Sequence, residues 1–426
     1  MVVELINTGT ELMLGRVLNT HQHWLCRQLA DLGYVVSRQV AVPDTGAEIQ
    51  QAVREALGRA DLVLTTGGLG PTSDDITRDL IAQMLGRPLR EDAAVLGHIR
   101  QFFTARKRPM PERTSVQALV PEGAIVLPNP HGTAPGLAME VHPNLLRSNG
   151  AGTWLVMLPG PPRELRPMFT EAVVPLLRRV LPVPSLFVCR TLRTTGIGES
   201  VVQQRIAKPL QWLVEAGLDL GYCSRPGQVD VRLAAQGERA ASQVEEAEAI
   251  VRELLGSRIY GMEDDELERV IVRLFTERQA SLALAESCTG GFIANRITNV
   301  PGASAVLLAG LVTYSNAAKE RFLGVRAETL ARHGAVSEAT AREMAEGARR
   351  EAGADYALAV TGIAGPTGGT AEKPVGTVFI GLAGPAGTVI ERNLNPYDRD
   401  TFKQVTTQQG LDLIRRTVLA AATDLR

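Results

Sequence analysis

The spacing of apolar side chains shifts repeatedly along the chain, and the shifts mark its elements. Val2–Ile6 is a short, largely apolar run, and beyond Gly9 the positions Leu18, Leu25, Leu29 and Leu32 return at helical intervals, which predicts strand, turn and helix. Val35–Val42 reads as a second strand, Ile49, Val53, Ala56 and Leu57 as one face of a second helix, and Asp61–Thr66 as a buried third strand. Ile76, Leu80, Ile81, Met84 and Leu85 complete a βαβαβα alternation, the pattern of a parallel, doubly wound sheet with right-handed crossovers. Trp154–Leu158 adds a further buried strand, and a helix running through Met168 and Val173 to Leu177 closes the region.

A different texture begins at Leu181–Pro184. A strand near Leu186–Arg193, a helix over Glu199–Ala216, an alternating strand over Val229–Ala234 and an acidic helix over Ala240–Leu255 predict a small α+β middle domain. From Asp264 to Arg278 a charged helix carries Leu267, Val270, Ile271, Leu274 and Phe275 on one face. Strands at Ser281–Ala285, Leu307–Thr313, Tyr356–Val360 and Val375–Leu382 follow, and a helix over Asp398–Thr423 ends the pattern. The expectation is an α/β protein in three parts, residues 1–178, 179–260 and 261–426.

Composition narrows the function classes. The 45 basic and 46 acidic side chains nearly cancel, so no global field draws the chain to nucleic acid or to an anionic membrane. Cys26, Cys189, Cys223 and Cys288 lie far apart with no CxxC pair, which argues against a zinc module or a disulfide framework. The most apolar interior stretch, Ala303–Val312, falls well short of the ~20 residues of a bilayer span. Met1–Asn7 has the character of a strand and not of a secretory leader, so a cytoplasmic protein is expected, without membrane or nucleic-acid partners.

Three glycine-rich segments carry the candidate chemistry, each where a strand runs into a turn. In TTGGLGPTSDD, Thr65–Asp75, the residues Thr66, Gly67, Gly68 and Gly70 let backbone approach a ligand, and N–H groups at the following helix start can cradle phosphate. Asp74 and Asp75 would repel a bare phosphate but suit one bridged by a hard divalent cation such as Mg²⁺; simple helix capping accounts for them equally well. Glu11, in the turn Gly9–Glu11, as a third candidate metal ligand, and Asn129, Gly132 and Thr133, in NPHGTAP (Asn129–Pro135), as candidate phosphate contacts, belong to the segments that could face this loop, although both segments also suit ordinary turns. His21 and His23 do not share a helix face, so solvent exposure is expected.

AESCTGG, Ala285–Gly291, places Ser287 at a strand-to-helix turn where a nucleophile would be exposed, with Cys288, Thr289, Gly290 and Gly291 offering backbone donors to phosphate or oxyanion. No histidine lies nearby, and the candidate base is Lys319 of TYSNAAK (Thr313–Lys319), with Tyr314 able to relay or orient a proton. Lysine serves as a base only with a depressed pKa; a capping serine and a surface lysine are the plainer alternative. TGIAGPTGGTAEKPVGT, Thr361–Thr377, is costly to order, which favours a loop that closes over a ligand. Thr361 and Gly362 stand at its strand end, and Arg399, at the start of the last helix, offers a guanidinium for phosphate.

Taken together, NTGTELMLG (Asn7–Gly15), TGGLGPTSDD, NPHGTAPG (Asn129–Gly136), LPGPPREL (Leu158–Leu165), GIGES (Gly196–Ser200), AESCTGG, VPGAS (Val300–Ser304), YSNAAK, GAVSE (Gly334–Glu338), TGIAGP (Thr361–Pro366) and KPVGT (Lys373–Thr377) make the chain resemble the CinA (competence/damage-inducible) family over essentially its whole length. The resemblance implies a molybdopterin-binding-like first domain acting as a metal-dependent ADP-ribose pyrophosphatase, a KH-like middle domain, and a last domain similar to nicotinamide mononucleotide deamidase. By motif it implies Ser287 as nucleophile, Tyr314 and Lys319 as its activators, Thr361 as a substrate contact and Arg399 as a phosphate or proton-network contact. A divalent metal at the first site, none at the second, and a homodimer are expected. A first domain that binds pterin or nucleotide without turnover, or a recombination accessory acting through partners, are the rival functions. The middle domain has Gly196, Ile197 and Gly198 in place of a GxxG loop, so nucleic-acid binding is not expected of it. HPNLLRSNGAG, His142–Gly152, is expected to be a surface insertion.

Overall fold

The computed structural model describes residues 1–183 and 186–423. The chain divides into two compact units, Met1–Val188 and Cys189–Arg426. The first is built on a six-stranded sheet ordered Val36–Val42, Val3–Thr8, Leu62–Thr66, Thr153–Leu158, Gly136–Val141 and Ile125–Leu127. The first four strands are mutually parallel, and the last two join antiparallel. The sheet is therefore mixed, where the sequence suggested a parallel one. The helix Ala93–Ala105 and the strands Ile125–Leu127 and Gly136–Val141 were not anticipated; Ile125–Leu127 is too short to show a period.

Helices cover both faces of this sheet, giving two cores. Ile49, Val53 and Leu57 pack with Val63, Leu155 and Met157 on one side, while Leu25 and Leu29 pack with Leu5, Leu64, Val156 and Phe169 on the other. Leu18 lies ahead of the Thr20–Asp31 helix and is 85% exposed; that helix instead starts on an Asn19 cap, whose side chain accepts from the Gln22 N–H. The insertion His142–Gly152 is more than surface. Asn144 is fully buried and donates to the Leu57 carbonyl at 2.7 Å and to Thr153 Oγ1 at 2.9 Å, and Arg147 meets Asp61 at 2.9 Å.

The second unit holds a four-stranded sheet, Asp219–Arg225, Gln228–Gln236, Phe187–Thr195 and Ile259–Met262, with the helices Glu199–Glu215 and Ala240–Leu255. Its other sheet has five strands, ordered Leu307–Val312, Leu282–Glu286, Tyr356–Gly362, Thr377–Gly384 and Gly387–Leu394. The first three are parallel and the last two antiparallel. Tyr260 joins Leu267, Ile271, Phe275 and Leu284 in one core, so the two sheets of this unit share buried apolar surface. Among the described residues no helix is long and apolar enough to cross a membrane.

Candidate active site

Leu282–Glu286 is buried along its whole length and delivers its carboxyl end into the Ser287 turn. The turn is held from beneath by Glu286. Its carboxylate, 1% exposed, accepts N–H bonds from Gly291 at 3.0 Å, Ile293 at 3.1 Å and Ala294 at 2.8 Å, and so satisfies the start of the helix Phe292–Thr298. Gly290 and Gly291 have φ of 63° and 92°, conformations that cost glycine little. The Gly290 N–H donates to the Ser287 carbonyl at 3.1 Å, so both glycines have committed their donors within the turn. The Cys288 and Thr289 N–H groups lie against the buried Cys288 sulfur.

Lys319 reaches this turn from the helix Asn316–Leu323, which begins on a Ser315 cap. Its Nζ stands 3.2 Å from Ser287 Oγ and donates to the Thr313 carbonyl at 2.7 Å and, more weakly, to the Tyr314 carbonyl at 3.4 Å. The side chain is 1% exposed. Burial holds its ammonium below the usual lysine pKa, since a charge out of water is disfavoured. Cys288, buried beside Ser287, has its thiol pushed up to about 12 by the same effect. The geometry is that of a hydroxyl nucleophile facing an amine, with the thiol turned into the core.

The other carboxyl-terminal candidates surround this pair. The Ser287 N–H donates to the Val360 carbonyl at 3.0 Å, which sets Thr361 next along the adjacent strand. Thr361 is buried and its hydroxyl donates to the Ala335 carbonyl at 2.7 Å. A side chain at Gly362 would meet the Thr377 carbonyl at 2.9 Å, so the strand pairing demands glycine there. Tyr314 is 61% exposed, and its hydroxyl accepts from Arg399 Nη2 at 2.9 Å, while Arg399 Nη1 donates to the Gly365 carbonyl at 3.0 Å. Tyr314 thus meets Lys319 through its carbonyl, and its phenol belongs to an exposed clamp over the glycine loop. Glu286 was missed from the sequence, where a carboxylate ending a strand gives no sign of the three donors it serves.

In the first unit the glycine loop follows Leu62–Thr66, and the Gly67 N–H donates to the Leu158 carbonyl at 3.0 Å. Gly68 has φ of 68° and lies so close to Thr77 that a Cβ would come within 2.0 Å of its Oγ1. Thr66 is buried, and its hydroxyl accepts from Asn7 Nδ2 at 2.7 Å. Asn7 Oδ1, Thr65 Oγ1 and Thr77 Oγ1 are buried without a hydrogen-bond partner, an uncommon state that suits a place awaiting a polar ligand. A side chain at Gly70 would strike Asp75. Asp75 accepts from the Thr72 N–H at 2.8 Å and from its hydroxyl, whereas Asp74 is exposed.

Asn129 is buried, donating to the Ala134 carbonyl at 2.7 Å and to Glu164 at 2.8 Å. Gly132 packs on that same Glu164, with Thr133 half-buried beside it. Glu11 is exposed and folds back over Gly9. No cluster of three or more His, Cys, Asp or Glu side chains able to hold a metal occurs among the described residues, so Glu11, Asp74 and Asp75 do not form a three-carboxylate cage. Asp74 and Asp75 alone fit Mg²⁺ only in the manner in which that ion takes one or two carboxylates and completes its shell with substrate phosphate and water. His21 departs from expectation: it is half-buried and donates to the Gly160 carbonyl, and burial lowers its pKa. His23 is exposed.

Residues 264–418 match the CinA C-terminal domain, residues 189–261 the Damage-inducible protein CinA KH domain, and residues 4–179 the family described as "Probable molybdopterin binding domain". A CinA-like protein of Akkermansia muciniphila is 44% identical over 412 residues, spanning 96% of this chain and 95% of its own. Another CinA-like protein, from Kosmotoga olearia, is 40% identical over 422 residues, spanning 98% and 99%. The crystal structure of a competence/damage inducible protein from Agrobacterium tumefaciens shares 43% identity, covering 35% of this chain and 92% of its own with a TM-score of 0.34.

Proposed function

The chain belongs to the CinA family, and from that premise we propose that its carboxyl-terminal site hydrolyses the carboxamide of nicotinamide mononucleotide to nicotinate mononucleotide and ammonia. The observation that carries this reading is the 3.2 Å approach of the buried Lys319 amine to Ser287 Oγ. Neutral Lys319 takes the hydroxyl proton as Ser287 Oγ bonds to the carboxamide carbon. The proton passes to the departing nitrogen, ammonia leaves, and water then releases the acid and restores Ser287. Arg399, exposed at the rim, offers its guanidinium to the substrate phosphate. Incubation of the purified protein with nicotinamide mononucleotide, with ammonia and nicotinate mononucleotide as readouts, tests this directly; absence of both products refutes it.

For the amino-terminal site we infer metal-dependent cleavage of the ADP-ribose pyrophosphate bond. The unpartnered buried oxygens of Thr65 and Thr77 beside the glycine loop support a polar ligand there, and Asp74 and Asp75 would hold the cation. A divalent ion held by Asp74 and Asp75 would supply charge neutralisation to the ligand's phosphates; the protein's own part is to present the Gly67–Gly70 backbone and orient the ligand. The engagement of Asp75 by Thr72 favours one second reading, a module that binds nucleotide or pterin without turnover. Product analysis with and without Mg²⁺ separates the two.

A further inference from the structure

Two helices of the second unit begin at the same edge of its five-stranded sheet. Leu282–Glu286 and Tyr356–Gly362 are parallel, and two antiparallel steps bring Gly387–Leu394 back to that direction. The helix Phe292–Thr298 follows the first of these strands and the helix Arg399–Thr423 follows the last, so both start at the edge where Ser287 stands, the edge at which open α/β sheets bind ligands. Lys403 lies one turn along the second helix from Arg399, on the same helical face. Its Nζ stands 5.8 Å from the centroid of the Phe292 ring.

This face carries positive charge that the chain itself does not neutralise. Lys403 is half-buried, yet among the described residues no carboxylate pairs with it and no hydrogen-bond acceptor meets it. The Phe292 ring, at the outer limit of a cation–π contact, offsets little of that charge. Arg399 meets only neutral acceptors, the Gly365 carbonyl and the Tyr314 hydroxyl. The acids of the same helical turn are committed elsewhere: Asp398 accepts from the Asp400 and Thr401 N–H groups, and Asp400 accepts from Gln404 Nε2 at 2.6 Å. Two cations on one face without an acid between them suit a dianion, the guanidinium binding it as a fork and the ammonium as a point charge. Phe292 lies beyond the Ser287 turn, which sets Lys403 apart from the reacting hydroxyl, as the phosphate of a nucleotide is set apart from its base.

We propose that Lys403 is a specificity-determining residue of this site: with Arg399 it holds the phosphate monoester of the substrate and makes the site select a nucleotide over the corresponding nucleoside. The inference rests on the carboxyl-terminal reading and adds to it the source of that selection. Nicotinate mononucleotide and nicotinate riboside, which have no amide to hydrolyse, are titrated calorimetrically into the full-length protein without divalent metal. Lys403→Met keeps the apolar stem against Phe292 and removes the charge, and because it lies in the second unit a loss it causes reports on this site. The wild type is expected to bind the mononucleotide at least about tenfold more tightly than the riboside; Lys403→Met should weaken the mononucleotide about tenfold and the riboside less than about twofold. In ammonia release from nicotinamide mononucleotide the same variant should raise KM by a similar factor with kcat little changed. Mononucleotide affinity unchanged by Lys403→Met, an equal fall for both ligands, which lost packing alone would give, or no binding of the mononucleotide at millimolar concentration overturns the proposal. Binding of the mononucleotide that depends on Lys403, in a protein that releases no ammonia, upholds the phosphate contact and refutes the deamidase reading instead.

Discussion

Ser287 and Cys288 are neighbours in one turn, and burial gives them opposite characters. With its thiol pushed up to about 12, Cys288 has a negligible thiolate fraction at neutral pH. Ser287→Ala should therefore abolish ammonia release while leaving the fold intact, and Cys288→Ala should retain most of the turnover; a dead cysteine variant beside an active serine variant would reverse the assignment. Lys319 has a folded pKa held below its ordinary value, and the rate should rise with pH through that depressed value. Lys319→Arg cannot release its proton near neutrality and should be nearly as inactive as Lys319→Ala; substantial activity with an unchanged pH profile would remove the base role. The same shift fixes the sign of a stability effect. Between the folded pKa and the ~10.4 of an unfolded lysine, the unfolded chain binds the extra proton, so stability climbs with pH across that window. Urea titrations of Lys319→Met should lose that component of the slope.

At the scale of elements, two turns depend on single buried contacts. Three N–H groups converge on Glu286, and an amide in its place has one acceptor oxygen and presents donors to donors. Glu286→Gln should cost about 2–3 kcal/mol in urea unfolding and lower deamidase kcat more than it raises KM, because the Ser287 turn loses its anchor. In the first unit, alanine at Gly68 would need both a left-handed backbone and space that Thr77 occupies. Gly68→Ala should destabilise by more than ~1 kcal/mol and depress any activity of that site. Much of this scale was legible. The helix Ala240–Leu255 keeps the bounds read from the sequence, and the strand-to-helix position of Ser287 was plain from AESCTGG. The partner of the Tyr314 phenol was not legible from chain order, since proximity to Lys319 in sequence says nothing of the Arg399 guanidinium that meets it from another element.

Three matched families become two compact units because the middle and last regions share buried polar and apolar contacts. Arg193, 4% exposed, donates to Asp230 at 3.3 Å and to Glu266 just ahead of the helix Leu267–Glu277, and Arg225 closes on the same Asp230. Removing one member of a buried pair strands the other, so Asp230→Ala should destabilise the second unit by about 3 kcal/mol, seen as a lower urea midpoint with deamidase KM unchanged. The two candidate sites lie in separate units. Asp74→Asn and Asp75→Asn should impair ADP-ribose hydrolysis and its metal response while sparing ammonia release, and Ser287→Ala should do the reverse. Equal loss of both activities in any one variant would contradict the division.

The sequence by itself determined the α/β class, most helices and strands, and the three glycine-rich turns, because apolar period and glycine placement are local properties set by backbone geometry. It did not determine the antiparallel edge of the first sheet, since pairing direction depends on where a short strand returns in space. Tertiary structure alone decided that Lys319 is buried against Ser287, that Asp75 is tied to Thr72 and that His21 is half-buried against Gly160. These are consequences of desolvation and of contacts between distant elements: whether a lysine is a surface charge or a base depends on the water that its surroundings exclude.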